Sequence, residues 1–115
     1  MPVVFVIAPD WTMRTAVRAE LLEMGIDARG MDSADDVGRA HASGSLPNAV
    51  VLEATVELLD DSRILNLIQA VPTVMVASRT TRVSLPDAAV VLYRPVRIGE
   101  IVSRVRELLA PDHAA

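Results

Sequence analysis

Pro2 to Ala8 (PVVFVIA) is an unbroken run of strand-forming apolar residues, the pattern of a strand covered on both faces. Similar runs occupy Asn48–Leu52, closed by the acid Glu53, then Thr73–Ala77 and Ala89–Tyr93. Ile26–Met31 is more polar and is expected nearer a sheet edge. Between these runs the period changes from two to 3.6. Asp10 is placed to cap a helix over Trp11–Met24, with Met13, Val17, Leu21 and Met24 on one face and Gly25 as the left-handed residue that ends it. Ser33 heads a short helix ending near Gly44, with Asp35 and Asp36 in the first turn, where the helix dipole favours anions. Val56–Ala70 reads as a single helix with Leu58, Leu59, Leu65 and Ile68 inward, and Asp60-Asp61 complement a helix dipole. Ile98–Leu109 is the cleanest pattern: Ile98, Ile101, Val102, Val105, Leu108 and Leu109 follow the i, i+3, i+4, i+7 rule. Arg79–Asp87 is polar and holds a proline, so a helix there is short or missing.

Five strands alternating with helices imply right-handed crossovers and an α/β, doubly wound, five-stranded parallel sheet. The flavodoxin-like strand order is 2-1-3-4-5, with the site outside the carboxyl ends of the first and third strands. That rim collects Ala8, Pro9, Asp10, Glu53, Ala77, Ser78 and Arg94. One domain is expected over residues 2–109, with 110–115 a flexible tail or the start of a linker.

Composition narrows the chemistry. The 115 residues are 51% hydrophobic but only 3% aromatic, so the core is aliphatic. No apolar run approaches the roughly 18 residues of a membrane span, and a soluble, cytoplasmic chain is expected. The absence of cysteine excludes disulfides, thiolate metal sites and cysteine nucleophiles. A net charge of −4 argues against a nucleic-acid surface. All 11 basic residues are arginine, as in proteins of GC-rich bacterial genomes.

Over about residues 2–109 the layout resembles the response-regulator receiver (CheY-like) domain, carried by the strand ending at Glu53 and by Tyr93-Arg94-Pro95-Val96 before the last helix. The resemblance implies bacterial signal transduction or transcriptional control. A working receiver has an acid pair for Mg²⁺ after its first strand, an acceptor aspartate after its third, a hydroxyl after its fourth and Lys-Pro after its fifth. Here the acid pair falls on Ala8 and Pro9, with Asp10 one place later. The acceptor position is Glu53, the hydroxyl position Ala77 with Ser78 beside it, and the Lys-Pro position Arg94-Pro95. The aromatic switch position falls near Val91, close to Tyr93.

These substitutions work against phosphoryl transfer. Mg²⁺ takes oxygen ligands in octahedral geometry, and Ala8 and Pro9 have no carboxylate to offer. A glutamate moves the nucleophile by about 1 Å, a displacement that can cost roughly a hundredfold. The resemblance therefore implies a pseudo-receiver: no enzyme, cofactor or metal, and a phosphorylation-independent interaction module. Its partner would be a protein, or a second copy in a homodimer, meeting the fifth strand and last helix, where Tyr93, Arg97, Arg104 and Arg106 are polar handles. Two readings of Glu53 stand side by side: a solvated relic, or a partial mimic of the phosphorylated state paired with Arg94. An alternative function is a small-anion or nucleotide sensor at the strand ends. The remaining candidates are His41 and His113 as ligands, the hydroxyls Ser78, Thr80 and Thr81, and a cluster of Arg79, Arg82, Arg94 and Arg97 that would attract an anion or an acidic partner.

Overall fold

The fold was analysed in a computed structural model, which describes residues 1–80, 84, 85, 87 and 90–111. In chain order it contains β1 (Val3–Ile7), α1 (Trp11–Glu23), β2 (Asp27–Met31), α2 (Ala34–Ala42), β3 (Ala49–Glu53), α3 (Val56–Leu59), α4 (Ser62–Ala70), β4 (Thr73–Ala77), β5 (Val90–Tyr93) and α5 (Ile98–Leu109). Every strand pairing is parallel and the strand order is β2-β1-β3-β4-β5.

Parallel strands need crossovers, and these place helices on both faces. Successive residues of each strand therefore enter different cores. Val4 and Val6 of β1, Val51 of β3 and Val74 and Val76 of β4 pack with Val17 and Leu21 of α1 and Ile101, Val102 and Val105 of α5. Phe5, Ile7, Val50, Leu52 and Met75 point the other way, onto Val37, Leu58, Leu59, Ile64 and Ile68. Strand residues committed to both faces explain runs such as AVVL with no polar alternation. β2 lies at an edge, as its polarity implies. There Arg14 and Arg18 of α1 lie across Gly30, where a Cβ would stand 3.3 Å from the Arg14 side chain, and the Arg18 Nε donates to the Ala28 carbonyl at 2.9 Å.

Several expectations need correction. Met24 is not on the buried face of α1; it is the C-cap and is exposed. Gly25 follows it with φ +78°, as a left-handed C′ residue. The single helix expected over Val56–Ala70 is two, because Asp61 leaves the helical conformation (φ −90°, ψ 125°) to cap α4. Aspartates compete with the helix in this way when they bond nearby backbone N–H groups. Asp61 accepts from the Arg63 N–H at 2.9 Å and from the Arg63 guanidinium at 2.8 and 3.0 Å. Leu65 is only partly buried, while Ile64 is fully buried beneath α4. Among the described residues no helix is long and apolar enough to cross a membrane. Most of the segment joining β4 to β5, and residues 112–115, lie outside the described residues. So do the short or missing helix expected there and the 110–115 tail beyond Pro111.

The Arg63 guanidinium holds the Asp61 carboxyl well below its ordinary 3.8, at about 2, chiefly through side-chain hydrogen bonding. Arg63 also meets Asp35 at 3.0 Å, so it ties α2 to α4, and its own pKa is raised by these two acids. A depressed carboxyl supports folding above its unfolded value and loses that support as pH falls through its folded value. NMR titration is expected to show Asp61 protonating near pH 2, and Arg63→Gln is expected to return it toward 3.8.

Candidate functional site

The carboxyl ends of β1, β3, β4 and β5 form one rim, and each contributes a different group. After β1 the chain passes Ala8, fully buried, and Pro9, exposed, before Asp10 caps α1. The Oδ1 of Asp10 accepts from the Thr12 N–H at 3.0 Å and the Met13 N–H at 3.5 Å. A cap of this kind stabilises by about 1 kcal/mol. Its other oxygen, Oδ2, faces Arg94 at 3.8 Å.

Glu53 ends β3 and turns both oxygens inward along the rim. Oε1 accepts from the Asp10 N–H at 2.9 Å and Oε2 accepts from Arg94 Nη2 at 3.2 Å. The first contact resembles half of a capping box, in which a glutamate in the first turn returns to the N-cap N–H. Here the third helical residue is Met13, and a glutamate from another strand does that work. The extra methylene lengthens the reach; an aspartate would end about 1 Å shorter. The Glu53 side chain keeps only 16% of its surface exposed. It is therefore held by two donors.

Arg94 follows β5, with its N–H donating to the Ala77 carbonyl at 2.9 Å and a cis bond to Pro95. Its Nη2 also lies 3.5 Å from the Met13 sulfur. At 4 Å and an effective dielectric near 20 the attraction of such an ion pair is about 4 kcal/mol gross. The Arg94 side chain is 41% exposed, so solvent and ordering reduce this to about 0–1 kcal/mol net. A second arginine braces the opposite side: Arg14 Nη1 donates to the Ala8 carbonyl and lies 3.5 Å from that of Pro9. That brace was not foreseen, because an arginine on a helix face carries no sequence mark of the carbonyl it will reach.

The other candidates separate. Ala77 is buried and offers no hydroxyl; Ser78, beside it, shares a 2.8 Å hydrogen bond with Thr80 and lines a cleft with Glu53 and Arg94. Arg79 lies over the Tyr93 ring at 5.0 Å. Arg97 is exposed and forms no ion pair among the described residues, while Thr81, Arg82 and His113 lie outside the described residues. His41 is exposed on α2. Tyr93 and Arg106 are exposed, whereas Arg104 turns back to Glu107 at 3.3 Å. No group of three or more His, Cys, Asp or Glu residues suited to a metal ion occurs among the described residues.

No family model matches the chain, and no curated protein matches its sequence. Solved structures do match. A response regulator receiver protein from Burkholderia phymatum superposes with a TM-score of 0.69 at 20% identity, covering 96% of this chain and 99% of that one. The receiver domain of Francisella response regulator 1452 gives 0.71 at 18% identity, covering 94% and 96%. The N-terminal domain of a response regulator/sensory box/GGDEF protein from Carboxydothermus hydrogenoformans gives 0.74 at 10% identity, covering 97% of each chain. The chain has the receiver fold.

Because guanidinium groups brace this rim, its order is expected not to depend on a divalent cation. Millimolar Mg²⁺ should leave the melting temperature unchanged. A double-mutant cycle of Glu53→Gln and Arg94→Gln should give a coupling of about 0–1 kcal/mol in denaturant unfolding.

Proposed function

We propose that this protein is an atypical receiver: a phosphorylation-independent protein-interaction module in bacterial signal transduction or transcriptional control. The observation that carries the reading is the state of Glu53, whose two oxygens are engaged by the Asp10 N–H and the Arg94 guanidinium. A phosphoryl acceptor needs a free, in-line oxygen and a cation to neutralise the incoming charge. Here both oxygens have donors, and Ala8 and Pro9 bring no carboxylate for Mg²⁺.

A carboxylate fixed against a guanidinium carries about −1, against roughly −2 for a phosphate. The pair therefore mimics the phosphorylated state in part, with the rim held in one arrangement. The surface that would read that arrangement is β5 with α5, where Tyr93, Arg97 and Arg106 stand exposed and Arg104 lies beside them. The partner is a protein, or a second copy of the chain. Glu53 and Asp10 place negative charge where a small anion or nucleotide would sit, which favours the interaction module over a sensor.

Incubation with acetyl phosphate and Mg²⁺, followed by intact mass measurement, tests the reading. The expected result is no added phosphate, with beryllofluoride leaving the amide spectrum unchanged. A phosphorylated Glu53 would overturn it.

A further inference from the structure

β2 is an edge of the sheet, and its register shows which backbone groups it leaves open. The Asp27 N–H donates to the Pro2 carbonyl at 3.0 Å, and the Met31 carbonyl accepts from the Ala8 N–H at 2.9 Å. Asp27, Arg29 and Met31 therefore turn their backbone groups toward β1. In a parallel pair alternate residues bond the neighbour, so Ala28 and Gly30 point their N–H and C=O groups away from the sheet. An open row of that kind is a template for another strand. One of its groups is closed by a side chain. Arg18 Nε donates to the Ala28 carbonyl at 2.9 Å. The side chain crosses Gly30 on the way, where an added Cβ would stand 3.6 Å from Arg18 Cδ and 3.3 Å from Arg14 Cγ. The arginine thus occupies the acceptor that an added strand would use.

The side chains of β2 select what could be added. Asp27 and Arg29 share a face of the strand with Met31, which joins Val37 of α2 in the core. Both lie toward the surface and meet each other at 2.9 Å along the same strand. Antiparallel pairing of two copies with Ala28 opposite Ala28 sets Asp27 of each copy opposite Arg29 of the other. Opposite charges facing each other across strands are stabilising, and like charges are not. The register with Ala28 opposite Gly30 sets Arg29 against Arg29. The register with Gly30 opposite Gly30 sets Arg29 against Met31. Charge complementarity therefore picks a second copy of β2, in one register.

We infer that β2 is a latent self-association edge and that Arg18 is the lock that keeps it closed. Removal of Arg18 frees the Ala28 carbonyl, and a second copy adds antiparallel through its own β2, with Ala28 opposite Ala28. The Asp27–Arg29 pair within each strand is exchanged for two pairs between strands. The edge concerned is the one opposite β5, so the inference stands independently of the interaction-module reading.

Sedimentation velocity of the wild type and Arg18→Ala over a concentration series tests it. Arg18 is exposed on α1 and alanine favours the helix, so the variant is expected to fold. Arg18→Ala should self-associate about tenfold or more tightly than the wild type, the factor expected of a charge-assisted hydrogen bond. In the Arg18→Ala background, Asp27→Arg and Arg29→Asp should each reverse that gain, because each sets like charges opposite one another. An equimolar mixture of the two should restore it, since every swapped residue then meets an opposite charge. Equal association of Arg18→Ala and the wild type, a gain that neither swap reduces, or a mixture as weak as its components would each overturn the inference.

Discussion

Parallel strands can be joined only by crossovers, and in this protein both faces of the central strands β1, β3 and β4 are buried. Val50 and Leu52 face one core and Val51 the other, with no exposure on either side. Polar chemistry is left to the strand ends. At the carboxyl ends the first turn of α1 brings backbone N–H groups, β3 brings a carboxylate and the residue after β5 brings a guanidinium. The rim's chemistry follows from which residues stand at those ends.

The charges at the rim find partners within the chain. A carboxylate brought to a strand end beside a helix cap needs donors, or its desolvation is uncompensated. Glu53 finds one in a backbone N–H that its own strand could not supply and another in a permanent cation. Arginine suits this role better than lysine because its planar fork fixes direction as well as charge. Arg14 does the same for the Ala8 and Pro9 carbonyls, so the β1–α1 turn is held from two sides. A divalent ion at this place would need several oxygens in octahedral array. The two arginines instead use the few acceptors that are present.

Much of this was legible in the residues themselves. The apolar runs gave the strands because both faces are buried, and Asp10, Ser33 and Gly25 marked helix ends through chemistry local to each position. The break in the Val56–Ala70 helix was harder to see. Asp60-Asp61 fit a dipole argument within one helix as well as a cap between two, and the pairing of Asp61 with Arg63 decides between them. Met24 satisfied the helical period but fell beyond the last buried turn. At the rim, Glu53 and Arg94 were legible as positions. Their contact was one of two open readings, because whether a long side chain reaches inward or outward depends on donors far away in sequence. The Asp10 N–H, 43 residues from Glu53, is such a donor.

The weak net energy of the Glu53–Arg94 pair bears on how the rim would respond to a partner. If the pair were worth several kcal/mol, a partner carboxylate would have to displace Glu53 to gain the guanidinium. At about 0–1 kcal/mol the pair orients the guanidinium without locking it, and Asp10 Oδ2 stands 3.8 Å from the same nitrogen. The carboxylates of Glu53 and Asp10 together bring the acid charge beside Arg94 to about −2, near that of a phosphoryl group, which Glu53 alone does not reach. A ligand can shift a rim of this kind only through contacts it makes in one arrangement and not in another. Arg94 is placed for such contacts, because its side chain lines both clefts that open at this rim.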